Sequence, residues 1–157
     1  MKIKVLFTGK TTDPWIRQGI ECYADRIRHY AGFSWVELPD LKQTASLTEA
    51  QVKEREGALI LKAVRPGDHL LLLDEHGAAF SSIDWARNLE QKIAHLPKDL
   101  VFAVGGPYGF SPAVQARADE RLSLSRMTFS HQLVRVVFLE QLYRAFTIIR
   151  GEPYHHE

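Results

Sequence analysis

Residues 100–112, LVFAVGGPYGFSP, decide the reading of the fold. The first five are all apolar, too short a run for a helix and without the alternation of a strand that has one wet face. That is the pattern of a parallel strand covered by helices on both sides. The turn GGPYG closes it, and Ser111 with Pro112 opens a short helix expected to reach Ala118, as proline suits a first helical turn.

The same grammar extends in both directions. HLLLLD, residues 69–74, is a second near-continuous apolar strand, Ser82 to Leu96 a helix, and Arg121 to Leu124 a brief strand. Toward the amino terminus KIKVLFT, residues 2–8, is a strand closed by Gly9, and Phe33 to Leu38 is another. Between them a helix is predicted from Asp13 to Tyr30, capped by Asp13, with Ile16, Ile20, Tyr23 and Ile27 at helical spacing,. Thr48 opens TEAQVKEREGALILKAV, whose charged first half is expected to be solvated and whose apolar second half docks; Pro66-Gly67 ends it,. Strand and helix alternate throughout. This predicts an α/β fold with a mostly parallel sheet and helices on both faces, as one domain over residues 1–157,.

The last helix, Ser130 to Arg150 with Ser130 as its cap, is different. Leu133, Val134, Val136, Val137, Leu139, Leu142, Phe146 and Ile149 surround its axis, and a helix apolar on all sides has to be buried on all sides. One side can cover the sheet; the other implies a second copy, hence a homodimer about a two-fold axis.

Composition narrows the function classes. A 157-residue chain with 45% hydrophobic and 25% charged residues is an ordinary folded domain,. A single cysteine, Cys22, allows no internal disulfide, and the longest aliphatic run, Leu70 to Leu73, cannot span a bilayer,. A cytoplasmic protein with no membrane partner is expected. Net charge is +1, with 20 Lys and Arg against 19 Asp and Glu and no block of like charge. A general nucleic-acid binder is usually more basic, so any RNA has to be met by a local patch and by shape.

Ligands of parallel α/β sheets bind beyond the carboxyl ends of the strands. Three stretches lie there: Leu73-Asp74 with Gly77, Gly105-Gly106 with Gly109, and Leu122 to Thr128. The glycine turn suits a nucleoside-sized ligand, though an ordinary structural turn explains it equally well. It is neither a dinucleotide fingerprint nor a Walker loop, so no pyrophosphate is indicated. Seven histidines and one cysteine form no zinc-enzyme arrangement, and no metal is expected. His131 and Arg135 share a face near the start of the last helix; Glu140 and Arg144 share roughly the opposite one, where an intrahelical or intersubunit ion pair is the plain explanation,.

Four stretches, LLLLDEHG, FAVGGPYGFS, LSLSRMTFSHQLVRVVFLEQLYRAF and the terminal PYHHE, resemble the ribosomal large subunit pseudouridine N3-methyltransferases, the small RlmH family of the SPOUT class. The likeness covers essentially the whole chain and is densest from Leu70 to His155.

The resemblance implies an enzyme that transfers the methyl group of S-adenosylmethionine to ring nitrogen 3 of a pseudouridine in 23S rRNA, on the assembled ribosome. It also implies a trefoil knot in about residues 70–157, which no periodicity could have indicated. The cofactor loops carry over to Leu73, Gly105, Gly106 and the run Leu124, Ser125, Arg126, Met127, Thr128 and Phe129, the strand ends already selected on topological grounds. For the substrate and the proton it implicates His131, Arg135, Glu140, Arg144, Tyr154 and His155, some acting across the dimer. Arg135 or Arg144 would supply a positive field, and His131 or His155 would take or relay the proton. The family tail usually continues with Lys or Arg where this chain has His156; if that position meets phosphate, binding weakens as pH rises and the imidazole loses its charge.

Two other classes remain as expectations. A non-catalytic ribosome-associated factor would use the same dimer and tail without a cofactor pocket. A nucleotide- or flavin-binding protein would need a phosphate-cradling turn after the first strand, where GKTTDP supplies one glycine,.

Overall fold

The computed structural model describes residues 1–156. Five strands form one sheet: β1 (Ile3–Phe7), β2 (Phe33–Glu37), β3 (His69–Ala79), β4 (Leu100–Val104) and β5 (Glu120–Ser123). Their order is β2-β1-β4-β3-β5 and every pairing is parallel. β4 lies at the centre, with Phe102 opposite Val5 on one side and Leu71 on the other, and all five of its residues are buried. Its unbroken apolar run therefore has the cause inferred from sequence.

The helices are α1 (Pro14–Ile27), α2 (Glu49–Ala63), α3 (Ser82–His95), α4 (Pro112–Arg117) and α5 (Leu133–Ile149). One face of the sheet carries α1, α3 and α5, whose Ile16, Ile20, Trp85, Leu89, Phe138 and Leu142 pack over Val5, Leu71 and Phe102. The other carries α2 and α4, whose Ile60 and Val114 cover Leu6, Leu70, Leu72 and Val101. Thr48 and Gln51 form a full capping box on α2, satisfying donors that a helix start leaves open,. α1 and α5 approach closely at Gly19, where a Cβ would lie 3.0 Å from Val136.

Three local expectations change. α1 ends at Ile27 instead of Tyr30, and Asp13, though at the N-cap, makes no side-chain cap bond; Pro14 at the start leaves one fewer donor to satisfy,. α5 starts at Leu133, because Gln132 turns its side chain to the main chain of Lys10 and Thr12; Ser130 caps the turn before it, accepting from the Leu133 N–H at 3.0 Å. β3 runs on past Asp74 to Ala79, resuming its pairing with β5 after a bulge between Leu73 and Ala78. Gly77 sits in that bulge because a Cβ would come within 2.6 Å of the Arg121 main chain. α5 keeps one side uncovered in a single chain, as its apolar circumference led one to expect: Leu133 is exposed and Val137 is only part-buried.

Among the described residues no helix is long and apolar enough to cross a membrane.

Candidate active site

Parallel strands send all their carboxyl ends to one edge, so the connections after β3, β4 and β5 converge. Between them lies an open cavity of about 430 Å³, within the size range of small-molecule sites. Leu73 and Asp74 form one wall, the turn from Gly105 to Phe110 a second, and Leu124, Ser125, Met127, Thr128 and Phe129 a third, with His131 beside them. Of the cofactor-loop residues expected from sequence, only Arg126 is off the wall; its side chain faces solvent.

Local chemistry shapes each wall. Gly109 takes a positive φ of 83°, open to glycine without strain, and its N–H closes the turn onto the Gly106 carbonyl at 3.2 Å,. Ser111 caps α4 through the Val114 N–H at 3.3 Å, which fixes the exit of the same turn,. In the third wall the Ser125 hydroxyl accepts from the Met127 N–H and its carbonyl accepts from the Ser123 hydroxyl, both at 3.0 Å. The loop is thus held by its own serines. Its outer residues remain exposed, Met127 at 78%.

His131 carries a pKa below its ordinary value, because burial disfavours the imidazolium and Arg135 repels it,. It is a neutral imidazole on the cavity wall, able to accept a proton.

Arg135 is placed differently from expectation. It is fully buried and lies off the cavity wall. Its guanidinium donates to the carbonyls of Thr8 at 2.8 Å, Gly9 at 3.0 Å and His131 at 3.2 Å, and to the Thr11 hydroxyl at 2.9 Å. It stands 3.7 Å from Glu37 and over the ring of Phe7. Sharing a helical face with His131 suggested a shared pocket, but the unsatisfied carbonyls after β1 claim this side chain first.

Glu140, Arg144, Tyr154 and His155 form a separate cluster. Arg144 pairs with Glu140, contacts His155 Nδ1 at 3.1 Å and lies over the Tyr154 ring; the Tyr154 hydroxyl donates to Glu140 at 3.0 Å. Burial and the Glu140 carboxylate push the Tyr154 phenol well above its usual range. The Arg144 Nε is buried without a hydrogen-bond partner. Thirteen residues separate Arg144 from His131, roughly 20 Å along a helix, so a single chain does not bring this cluster to the cavity. His156 is exposed.

Sequence reasoning missed Lys53 and Gln115, which also line the cavity, and Glu56 beside Gly106. The available signal was topological: α2 begins at the edge where the parallel strands end. Among the described residues no group of three or more His, Cys, Asp or Glu side chains is placed to hold a metal.

The family described as "Predicted SPOUT methyltransferase" matches residues 1–155. The chain is 53% identical to "Ribosomal RNA large subunit methyltransferase H" of Parabacteroides distasonis over 157 residues, covering 100% of both. The protein of the same name from Bacteroides fragilis is 48% identical over 157 residues, again all of both chains. That of Christiangramia forsetii is 49% identical over 156 residues, 99% of each. The structure of a probable methylase family protein from Haemophilus influenzae shares the fold with a TM-score of 0.53 at 10% identity, over 95% of this chain and 66% of that one. This chain belongs to the SPOUT methyltransferase family.

Proposed function

We propose that this protein is an S-adenosylmethionine-dependent methyltransferase that modifies ring nitrogen 3 of a pseudouridine in 23S rRNA, acting as a cytoplasmic homodimer on the assembled ribosome. The observation that carries the reading is the convergence of the loops after β3, β4 and β5 on one nucleoside-sized cavity with His131 on its wall. Relatives named for ribosomal RNA methylation at about half identity over their whole length support the substrate class. A non-catalytic binding factor gives no reason for such a cavity. The knot in residues 70–157 belongs to the same proposal, and the path of residues 124–131 beside the β3 and β4 connections fits it.

The wall suits S-adenosylmethionine on its own chemistry: glycines at Gly105, Gly106 and Gly109 permit close backbone approach, and Leu73, Leu122, Leu124 and Phe129 offer apolar surface to a purine,. Leu73, Gly105, Gly106 and Leu124 to Phe129 would hold the cofactor, which when bound supplies an electrophilic methyl group on a sulfonium. The remaining work falls to side chains. His131, neutral and at the wall, takes the imide proton as the nitrogen becomes nucleophilic,. Arg135 acts by positioning, since its donors are committed to the β1–α1 loop and to the His131 carbonyl. Glu140 and Arg144 of α5, the latter with its free Nε, and the tail residues Tyr154, His155 and His156 complete the pocket of the second subunit, where Arg144 stabilises negative charge on the base,.

The test is transfer of a labelled methyl group to ribosomes that contain the unmethylated pseudouridine. Incorporation into 23S rRNA at one pseudouridine is expected; a protein that binds ribosomes yet transfers nothing contradicts the proposal.

A further inference from the structure

The charged half of α2 is not wholly solvated. Glu56 turns inward against the glycine turn, so that a Cβ on Gly106 would lie 2.7 Å from its Oε2 and 3.0 Å from its Oε1. Gly106 lines the cavity, as does Lys53, one turn earlier on α2. Next along the helix, Gly57 lets Ser111 approach so closely that any Cβ would collide with its hydroxyl. α2 is therefore held tightly against the exit of the turn, and Glu56 is held with it.

The carboxylate has no partner there. Oε1 is buried without a hydrogen bond, and among the described residues no ion pair reaches Glu56. Burial raises its pKa, the signature of a charge that the free protein solvates poorly,. Glu56 stands behind the lining residue Gly106, and the two carboxylates on the cavity wall itself have contacts of their own: Asp74 accepts from the His76 N–H at 3.0 Å, and Glu75 lies 3.6 Å from the His76 ring. An unpaired, part-buried carboxylate is costly. Directly behind Gly106, which lines the cavity, its natural complement is a cation that arrives with the ligand.

We infer that Glu56 is a specificity residue of the methyl-donor site, a counter-charge placed behind Gly106 for a cationic group of S-adenosylmethionine. The inference rests on the cofactor reading above. The donor offers two such groups, the sulfonium and the α-ammonium. If Glu56 faces the sulfonium, its attraction disappears once the methyl group has left and the sulfur is a neutral thioether, which favours exchange of product for fresh donor. Gly106 is then constrained twice, by the ligand on one side and by Glu56 on the other.

The experiment is calorimetric titration of wild type and Glu56→Gln with S-adenosylmethionine, S-adenosylhomocysteine and 5′-methylthioadenosine, the last having neither cation. Loss of this counter-charge predicts that Glu56→Gln weakens the donor about tenfold or more while leaving 5′-methylthioadenosine within about twofold. S-adenosylhomocysteine identifies the cation: unchanged affinity means the sulfonium, a parallel loss means the ammonium. Equal weakening of all three ligands, or no weakening of the donor, overturns the inference. So does a fall in the unfolding temperature of the ligand-free variant, because removing an unpaired buried charge should hold or raise it. Failure of the wild type to bind the donor would instead overturn the cofactor reading itself.

Discussion

Arg135 Nη1 donates to the main-chain oxygen of Gly9 at 3.0 Å, tying the start of α5 to a loop 126 residues earlier in the chain. With its bonds to Thr8, Thr11 and His131 it anchors the carboxyl-terminal segment at the ligand-binding edge of the sheet. Arg135→Met should leave the carbonyls of Thr8, Gly9 and His131 without this donor and lower stability by about 3 kcal/mol in urea unfolding, while Glu37 keeps its pairing with Arg17,. Arg135→Lys should not restore it, since an ammonium lacks the planar fork that reaches several acceptors. A Met variant as stable as wild type would show that the anchor does no such work.

His131 should govern the acid limb of the reaction. Burial and Arg135 hold its folded pKa below the ordinary 6.5, so it is deprotonated at neutral pH and becomes an imidazolium only as pH falls through that lowered value. Single-turnover rates should drop across this acid window, and His131→Gln should lose about a hundredfold in rate with donor affinity nearly unchanged. An unaltered pH profile in the variant would remove His131 from proton transfer.

Acid stability has a second, structural origin. Burial would raise the Glu120 pKa, but hydrogen bonds from Lys92 and His69 outweigh it and hold the value below the usual 4.5. Glu37 behaves alike, with Thr11 and Arg17 supplying the bonds. A depressed carboxylate contributes stability that is complete above its unfolded pKa and is lost as pH falls through the folded one. Urea midpoints measured downward from pH 5 should therefore decline, and less steeply in Glu120→Gln; identical slopes would exclude the Glu120 contribution.

Leu133 and Val137, four residues apart on α5, present the apolar edge that one chain leaves uncovered. Leu133→Asp is expected to convert a dimer into a monomer by sedimentation and to abolish methyl transfer while sparing donor binding. A monomeric variant with full activity would show that no pocket shared between subunits, and hence no contribution from the Arg144 and Tyr154 cluster across a dimer, is needed.

What the sequence disclosed and what it hid have different physical causes. LVFAV and HLLLL announce doubly covered strands because burial on both faces leaves no alternative pattern, and LSLSRMTFSHQ could be placed at a strand end by the βα order alone. Glu56 was hidden because a Lys- and Glu-rich half-helix normally faces water; only the tertiary approach of Gly106 turns one of its carboxylates inward. Arg135 was misplaced for the converse reason: sharing a helical face with His131 is local, whereas the carbonyls it satisfies come from the far end of the chain. The extension of β3 through Asp74 to Ala79 was invisible as well, since DEHG reads as a turn and its bulge depends on β5.

The most direct measurement is isothermal titration of the purified protein with S-adenosylmethionine, alone and with ribosomes, beside a Gly105→Trp variant. A side chain at Gly105 starts with its Cβ only 3.2 Å from the Phe110 ring and has to grow within the cavity wall. Saturable binding at one site per chain, lost in the variant, is the predicted result. Absence of binding both to the free protein and in the presence of ribosomes, or binding that survives an indole at Gly105, would contradict the assignment of this cavity to the methyl donor.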